Sequence, residues 1–162
     1  GQVEIAEFQG RKWVRGLSEN GKVMKVMDLP DEWALEVKYY FKNAEGFSYI
    51  YFGVGTKEVD ELKITALDSR IYDVYWKGKT LKGTTPPDLG EVHTIAFSER
   101  GGILRAFIDG VMVVNERVEG AEIRGSGKRP NRDGFYIKFR EIDPSAGNEF
   151  LFTEVRLSQY TR

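Results

Sequence analysis

The sequence predicts an all-β fold in which two antiparallel sheets pack face to face as a sandwich. About a dozen short segments alternate apolar and polar residues, which is the period of a strand with one face on a core. Turn residues separate these segments at the spacing of roughly 8–12 residues that is typical of sandwiches and barrels. No segment carries the apolar spacing of an amphipathic helix longer than about two turns.

The first third of the chain predicts five strands. The longest, WALEVKYYF, splits cleanly into apolar and polar positions, so one face lies on a core and the other in water. The next strand, FSYIYFGVG, is apolar on both faces, which indicates a covered central strand or one whose aromatic face is available to a ligand. The five predicted strands are residues 3–8, 12–15, 22–27, 33–41 and 47–55.

Seven more strands are predicted downstream. Residues 61–67 suit either one helical turn or a strand, and we prefer the strand. Residues 92–115 predict two consecutive hairpins, because glycine turns at 101–102 and 109–110 separate three alternating runs. A basic, glycine-rich loop at 121–134 precedes the last part of the chain. The remaining predicted strands are residues 70–76, 135–141 and 150–157.

Length and composition limit the classes of function. With 162 residues, the chain is expected to be a single domain, residues 1–162, of a larger protein. The 24 basic and 25 acidic side chains nearly cancel, so no net charge favours nucleic acid or an anionic membrane surface. No run of roughly 18 or more apolar residues occurs that could span a bilayer. The sequence has no cysteine, which excludes disulfides, thiolate metal sites and a cysteine nucleophile. Nothing in the sequence indicates an oligomeric state.

Four segments resemble concanavalin A-like, laminin-G-like jelly-roll domains. VHTIAFSERGGILRAFIDGVMVVN is similar to the core W-H-x-I-A-I-S … L-K-V-Y-L-D-G-x-x-V, with Val92 replacing tryptophan and His93 retained. LPDEWALEVKYYF resembles the opening strand L-P-x-x-F-T-L-E-F-x-x-Y of that family. AEFQGRKWVRG and FLFTEVRLSQYTR are similar to its N-terminal and closing strands, so the resemblance covers nearly the whole chain.

The resemblance implies a jelly roll of two curved sheets. Members of the family bind carbohydrate or protein partners, some with a calcium ion, and some relatives cleave polysaccharides. The spacing and the C-terminal tail resemble a subgroup of exported bacterial proteins that often carry a neighbouring peptidoglycan-binding domain. We therefore expect a periplasmic, cell-surface or secreted location. The activity has to be argued from the residues, because one fold hosts many functions.

The carboxylates do not follow the pattern of a retaining glucanase. Such enzymes use Glu-x-Asp-x-x-Glu on one strand, which places two carboxylates about 5 Å apart in one cleft. Here Glu58 and Asp60 fit, but Lys63 occupies the third carboxylate position, and we interpret the acidic residues as solvated surface groups. The only histidine, His93, alternates with apolar residues, which favours a framework role over catalysis.

No cofactor is predicted. Calcium stays open as an alternative, because Asp143 and Asn148 frame one loop with oxygen ligands, although aspartates at turns ordinarily cap the backbone. The basic loop lacks interleaved aromatic residues, so it is interpreted as a solvated loop, with docking to an acidic glycan or partner as the alternative. Its basic side chains are Arg124, Lys128, Arg129 and Arg132.

Aromatic side chains are the strongest candidates for ligand contact. A ring offers a flat apolar face to the C–H face of a sugar, although the same rings also suit a sandwich core. Because strand faces alternate, Tyr75 cannot be buried by the same layer as Tyr72 and Trp76. The candidate ligand-binding residues are Tyr49, Tyr51, Arg70, Tyr72, Tyr75 and Trp76.

The sequence thus favours a non-catalytic module that binds carbohydrate or mediates adhesion. A structural or protein-interaction domain without a sugar site is the first alternative, and a glycoside hydrolase is the less favoured one. The expected partner is a glycan or a cell-surface protein, with no nucleic acid and no insertion into a membrane.

Overall fold

A computed structural model describes residues 3–118 and 132–159, and within these ranges the chain is almost entirely β. The eight-stranded sheet contains β1 (Val3–Phe8), β2 (Arg11–Gly16), β4 (Trp33–Lys42), β9 (Val92–Arg100), β10 (Ile103–Ile108), β11 (Val111–Arg117), β13 (Glu149–Phe152) and β14 (Arg156–Gln159). The six-stranded sheet contains β3 (Gly21–Val26), β5 (Phe47–Val54), β6 (Asp60–Leu67), β7 (Arg70–Trp76), β8 (Lys79–Thr80) and β12 (Gly134–Arg140). A 3-10 turn, Pro144–Ala146, lies before β13.

The two sheets are antiparallel and form a jelly-roll sandwich of the concanavalin A-like type, which confirms the predicted fold class. The eight-stranded sheet has the order β1-β2-β13-β4-β9-β10-β11, with β14 also paired to β4. The six-stranded sheet has the order β3-β12-β5-β6-β7-β8. Residues 61–67 lie within strand β6, as predicted. No helix in the two described ranges is long and apolar enough to cross a membrane.

The core lies between the sheets and takes alternate residues from each strand. On β4 the predicted inward residues are all buried, and they face a second buried layer from β5, β6 and β12. Burying each large apolar side chain stabilises the fold by roughly 1.5–3 kcal/mol, so this double layer is the main favourable term. The inward residues of β4 are Trp33, Leu35, Val37, Tyr39 and Phe41.

His93 is part of the framework between the turns. It is buried on β9, with Nδ1 2.6 Å from Oδ2 of Asp109 and Nε2 2.6 Å from the carbonyl oxygen of Asp88. The second oxygen of Asp109 accepts a hydrogen bond from the backbone N–H of Thr94 at 2.9 Å. His93 therefore joins the loop before β9 to the turn between β10 and β11.

The last predicted strand, residues 150–157, is two strands in the structure. Both β13 and β14 pair with β4, but Thr153 interrupts the ladder between them. Its backbone N–H donates to the carbonyl of Lys38 at 2.9 Å, and its hydroxyl accepts from the backbone N–H of Lys38 at 2.9 Å. The hydroxyl thus takes the place of a carbonyl in the ladder, which the apolar pattern does not reveal.

A buried ionic network corrects the interpretation of Arg132 and Asp60 as solvated residues. Arg132 is 6% exposed, and its Nε donates to Oε2 of Glu99 at 2.5 Å while its Nη1 donates to Oδ2 of Asp60 at 2.7 Å. Burial lowers the pKa of Arg132, the two carboxylates raise it, and the net shift is upward. The other basic residues of that predicted loop, Arg124, Lys128 and Arg129, lie outside the described residues.

Lys77 extends this network toward the eight-stranded sheet. Its ammonium lies 2.8 Å from Oδ1 of Asp60 and 2.7 Å from Oε1 of Glu116. Asp60 belongs to β6, Glu99 to β9 and Glu116 to β11, so the network spans both sheets. Ionic contacts therefore join the sheets where the apolar core ends.

We expect R132M to lower the free energy of unfolding by about 3–5 kcal/mol, because it leaves the buried Glu99 carboxylate without its guanidinium. Denaturant titration measures the change. The matched control is R156M, since Arg156 is exposed on β14. The control should change stability by no more than about 0.5 kcal/mol. A loss below about 1 kcal/mol for R132M would contradict a structural role for the network.

Candidate ligand-binding face

The outward side of the six-stranded sheet, called here the outer face, alternates aromatic and cationic side chains. Pairing places residues of five strands opposite one another in one row, called here the central row. Residues of one row point to the same side of a sheet, so these side chains adjoin on the surface. In order across the sheet, the central row is Tyr75, Lys63, Tyr51, Lys138 and Lys22.

All three lysines of the central row lie over aromatic rings, Lys22 over that of Tyr136 at 4.6 Å. The Lys63 ammonium lies 4.4 Å from the ring centroid of Tyr75 and 5.6 Å from that of Tyr49. The Lys138 ammonium lies 4.2 Å from the ring centroid of Tyr51. A cation over a ring contributes about 0.5–2 kcal/mol, depending on its desolvation. These contacts hold the rings and lysines in place, and Tyr49, Tyr51 and Tyr75 remain half-exposed.

Two carboxylates gather around Lys138. Its ammonium lies 3.4 Å from Oε1 of Glu58 and 3.5 Å from Oε1 of Glu61. Lys22 also donates to Oε1 of Glu58 at 2.9 Å, and this hydrogen bond lowers the pKa of Glu58. Glu58 and Glu61 are therefore paired with lysines, where the sequence suggested solvated carboxylates.

Tyr136 is buried beneath this cluster and fixes Glu61. Its hydroxyl donates to Oε2 of Glu61, and burial together with this hydrogen bond raises the pKa of Tyr136. The ring lies against the backbone of Gly53 on the neighbouring strand, so closely that a Cβ at Gly53 would overlap it. Glycine at this position thus gives the tyrosine ring room to pack under the outer face.

A second aromatic group lies at one end of the outer face. The ring of Phe47 is nearly parallel to that of Tyr49, at 6.3 Å and 4°, and meets the ring of Tyr72 edge-on at 6.0 Å. Phe47 and Tyr72 are the most exposed rings of the group, at 45% and 59%. Phe47 was missed in the sequence, although its position two residues before Tyr49 places it on the same face.

The predicted site residues do not all reach the outer face. Tyr49, Tyr51 and Tyr75 belong to it, and Arg70 is exposed at the start of β7, opposite Leu67. Trp76 is a correction: it is 6% exposed in the core, and its Nε1 donates to Oε2 of Glu116 at 3.2 Å.

A shift in strand register explains why Tyr72 is exposed while Trp76 is buried. The sequence suggested that both share one face of β7, but the pairing with β6 shifts between Thr65 and Ala66. Tyr72 has no partner residue at the shift and is exposed, whereas Trp76 remains inward. A β-bulge of this kind re-aims one side chain and leaves the rest of the strand in place.

In the loop considered for calcium, oxygen atoms of Asp143 and Asn148 accept hydrogen bonds from the protein itself. Oδ1 of Asp143 accepts hydrogen bonds from the backbone and hydroxyl of Ser145, at 2.9 and 2.6 Å, and these bonds lower the pKa of Asp143. Oδ1 of Asn148 accepts from the backbone N–H of Ala44 at 2.7 Å. Among residues 3–118 and 132–159, no three acidic or histidine side chains are grouped to hold a metal ion.

A groove of about 620 Å³ lies in the other sheet and is lined by residues of β1, β2, β4 and β14. Its lining includes the apolar Trp13, Val14 and Val37 and charged side chains such as Lys38 and Arg156. None of the residues predicted to bind a ligand lines it.

Comparison with solved structures supports the fold. The CBM2 module of the evolved Dit protein of Lactobacillus casei BL23 phage J-1 is 11% identical, with a TM-score of 0.62 over 95% of this chain and 78% of that one. A structure reported for endo-acting O-glycanases of human gut bacteria is 17% identical, with a TM-score of 0.61 over 98% and 79%. The carbohydrate-binding module CBM66 of Bacillus subtilis is 11% identical, with a TM-score of 0.52 over 97% and 92%. No protein-family model and no curated protein matches the sequence.

We expect G53A to destabilise the protein by about 1–3 kcal/mol, because the added methyl group overlaps the Tyr136 ring. Denaturant unfolding of a double-mutant cycle with Y136A isolates this contact, since the cost of G53A should largely disappear once the ring is removed. An equal cost of G53A in both backgrounds would place the strain elsewhere.

Proposed function

We propose that the protein is a non-catalytic carbohydrate-binding module that holds a glycan on its outer face. The observation that carries this proposal is the half-exposed row of tyrosine rings interleaved with lysines. A sugar presents an apolar C–H face and a rim of hydroxyls, so it is suited to rings that alternate with hydrogen-bonding groups. Two of the similar solved structures are carbohydrate-binding modules, which supports the same class of ligand.

The state of the carboxylates favours binding over hydrolysis. A glycosidase needs one carboxyl group that stays protonated as the general acid, and its pKa is therefore raised. On the outer face, the hydrogen bond from Lys22 lowers the pKa of Glu58, so Glu58 is held as an anion. Lys138 contacts both Glu58 and Glu61 and neutralises part of their charge. Ion pairs of this kind suit a fixed binding surface.

We further propose that the module belongs to an exported bacterial protein. Glycans of the cell envelope and its surroundings are met outside the cytoplasm, so a binding face of this composition suits a periplasmic, cell-surface or secreted protein. Its ligand would be a free polysaccharide or a glycan carried by a surface protein.

Binding to a panel of purified polysaccharides, measured by affinity electrophoresis and calorimetry, tests the proposed function. Y51A and Y75A should each weaken binding at least tenfold, about 1.4 kcal/mol, because each removes a ring of the central row. Y40A is the matched control, since Tyr40 lies on β4 in the other sheet. Thermal unfolding of each variant verifies that it is folded.

Binding that is unchanged in Y51A and Y75A would move the site away from the outer face. A wild-type protein that binds no polysaccharide of the panel would contradict the proposed function and favour a protein-interaction domain. Release of shorter sugars from a bound polysaccharide would instead favour an enzyme.

A further inference from the structure

We propose that the outer face selects anionic glycans, and that the Lys63 ammonium binds the carboxylate or sulfate group of the sugar. This inference rests on the proposed glycan-binding function. Lys63 then determines which glycans are bound.

The carboxylates beside the central row are distributed unevenly among its lysines. Lys22 and Lys138 contact the carboxylates of Glu58 and Glu61, at distances between 2.9 and 3.5 Å. Lys63 has no carboxylate within ion-pair distance in the described part of the chain, and its only recorded partners are the rings of Tyr49 and Tyr75. Lys63 is therefore the cation of the row whose charge is not compensated by an anion.

An ammonium held by aromatic rings can still donate hydrogen bonds to an anion. Aromatic faces stabilise its charge and position, but they leave its N–H groups available, since an ammonium has three donors. Lys63 is half-buried, so an oxyanion that reaches it is less screened than on an open surface.

A second cation, Arg140, belongs to the same part of the outer face as Lys63. Arg140 lies on β12 opposite Tyr49 and adds positive potential. Burial raises the pKa of Tyr51, and Arg140 acts against that rise. A ligand bound here meets two cations beside the exposed rings. This combination suits an acidic sugar better than a neutral one.

The nearby acidic groups form no ion pair with Lys63 or Arg140 among the described residues. Asp73 lies opposite Thr65, and its Oδ1 accepts a hydrogen bond from the backbone of Val74 at 2.9 Å. Glu58 and Glu61 are engaged by Lys22, Lys138 and Tyr136. Lys63 and Arg140 are therefore available to an anionic ligand.

The test compares three polymers at low and high salt: a polyuronate, a sulfated polysaccharide and a neutral dextran. Wild-type protein should bind one or both anionic polymers at least tenfold more tightly than dextran. K63Q should reduce that binding at least tenfold, and by a larger factor than it reduces any binding of dextran, whereas K63R should retain most of it. Comparison of the polyuronate with the sulfated polymer tells which anionic group is recognised.

The matched control is K42Q, which removes the same charge from an exposed position on β4, in the other sheet. It should leave binding of all three polymers unchanged. If K63Q and K42Q weaken binding equally, the attraction is a general charge effect and the assignment of Lys63 is overturned. Equal affinity for dextran and the anionic polymers would overturn the selectivity and leave the proposed function in place. Absence of binding to any of the polymers would count against the proposed function itself.

Discussion

The alternation of inward and outward residues along β5, β6 and β7 is the constraint on which the rest of the molecule depends. Ile50, Leu62 and Val74 face inward and are buried, so their neighbours along each strand must face outward. The core requires one parity of residues, and the outer face consists of the other parity. Lys63 and Tyr51 are therefore placed by the same hydrophobic pattern that forms the sandwich. A one-residue slip of β6 would bury Lys63 and expose Leu62.

The ionic network around Arg132 complements this apolar constraint. Hydrophobic burial brings the two sheets together without specifying how their ends meet, because it is not directional. Hydrogen bonds from a guanidinium are directional, and those of Arg132 connect Glu99 in one sheet to Asp60 in the other. Asp60 directly precedes Glu61 on β6, so the buried network and the outer face are anchored on consecutive residues. Arg132 joins the two sheets in the interior, and Tyr136 and Lys138 contact Glu61 at the surface.

Sequence reasoning reached those features that depend on local alternation. It predicted the sandwich and the inward face of β4, and it named Tyr49 and Tyr51 as candidates for ligand contact. It did not separate Tyr72 from Trp76, because the bulge at Tyr72 depends on pairing with β6 and changes no residue pattern. The pairing of Lys138 with Glu58 and Glu61 was also missed, since these residues come from different parts of the chain and meet only through sheet register.

The two inner lysines of the central row have different surroundings, so the outer face is asymmetric. Lys138 and Lys63 flank Tyr51 and both contact aromatic rings, but among the described residues only Lys138 has carboxylates within ion-pair distance. Acidic oxygens accept hydrogen bonds from sugar hydroxyls, whereas an uncompensated ammonium attracts an oxyanion. A sugar ring stacked on Tyr51 would therefore turn its hydroxyl-rich side toward Lys138 and its anionic group toward Lys63. Orientation as well as selectivity then follows from which lysine has carboxylates nearby, and that is decided by the register of β6 against β5 and β12.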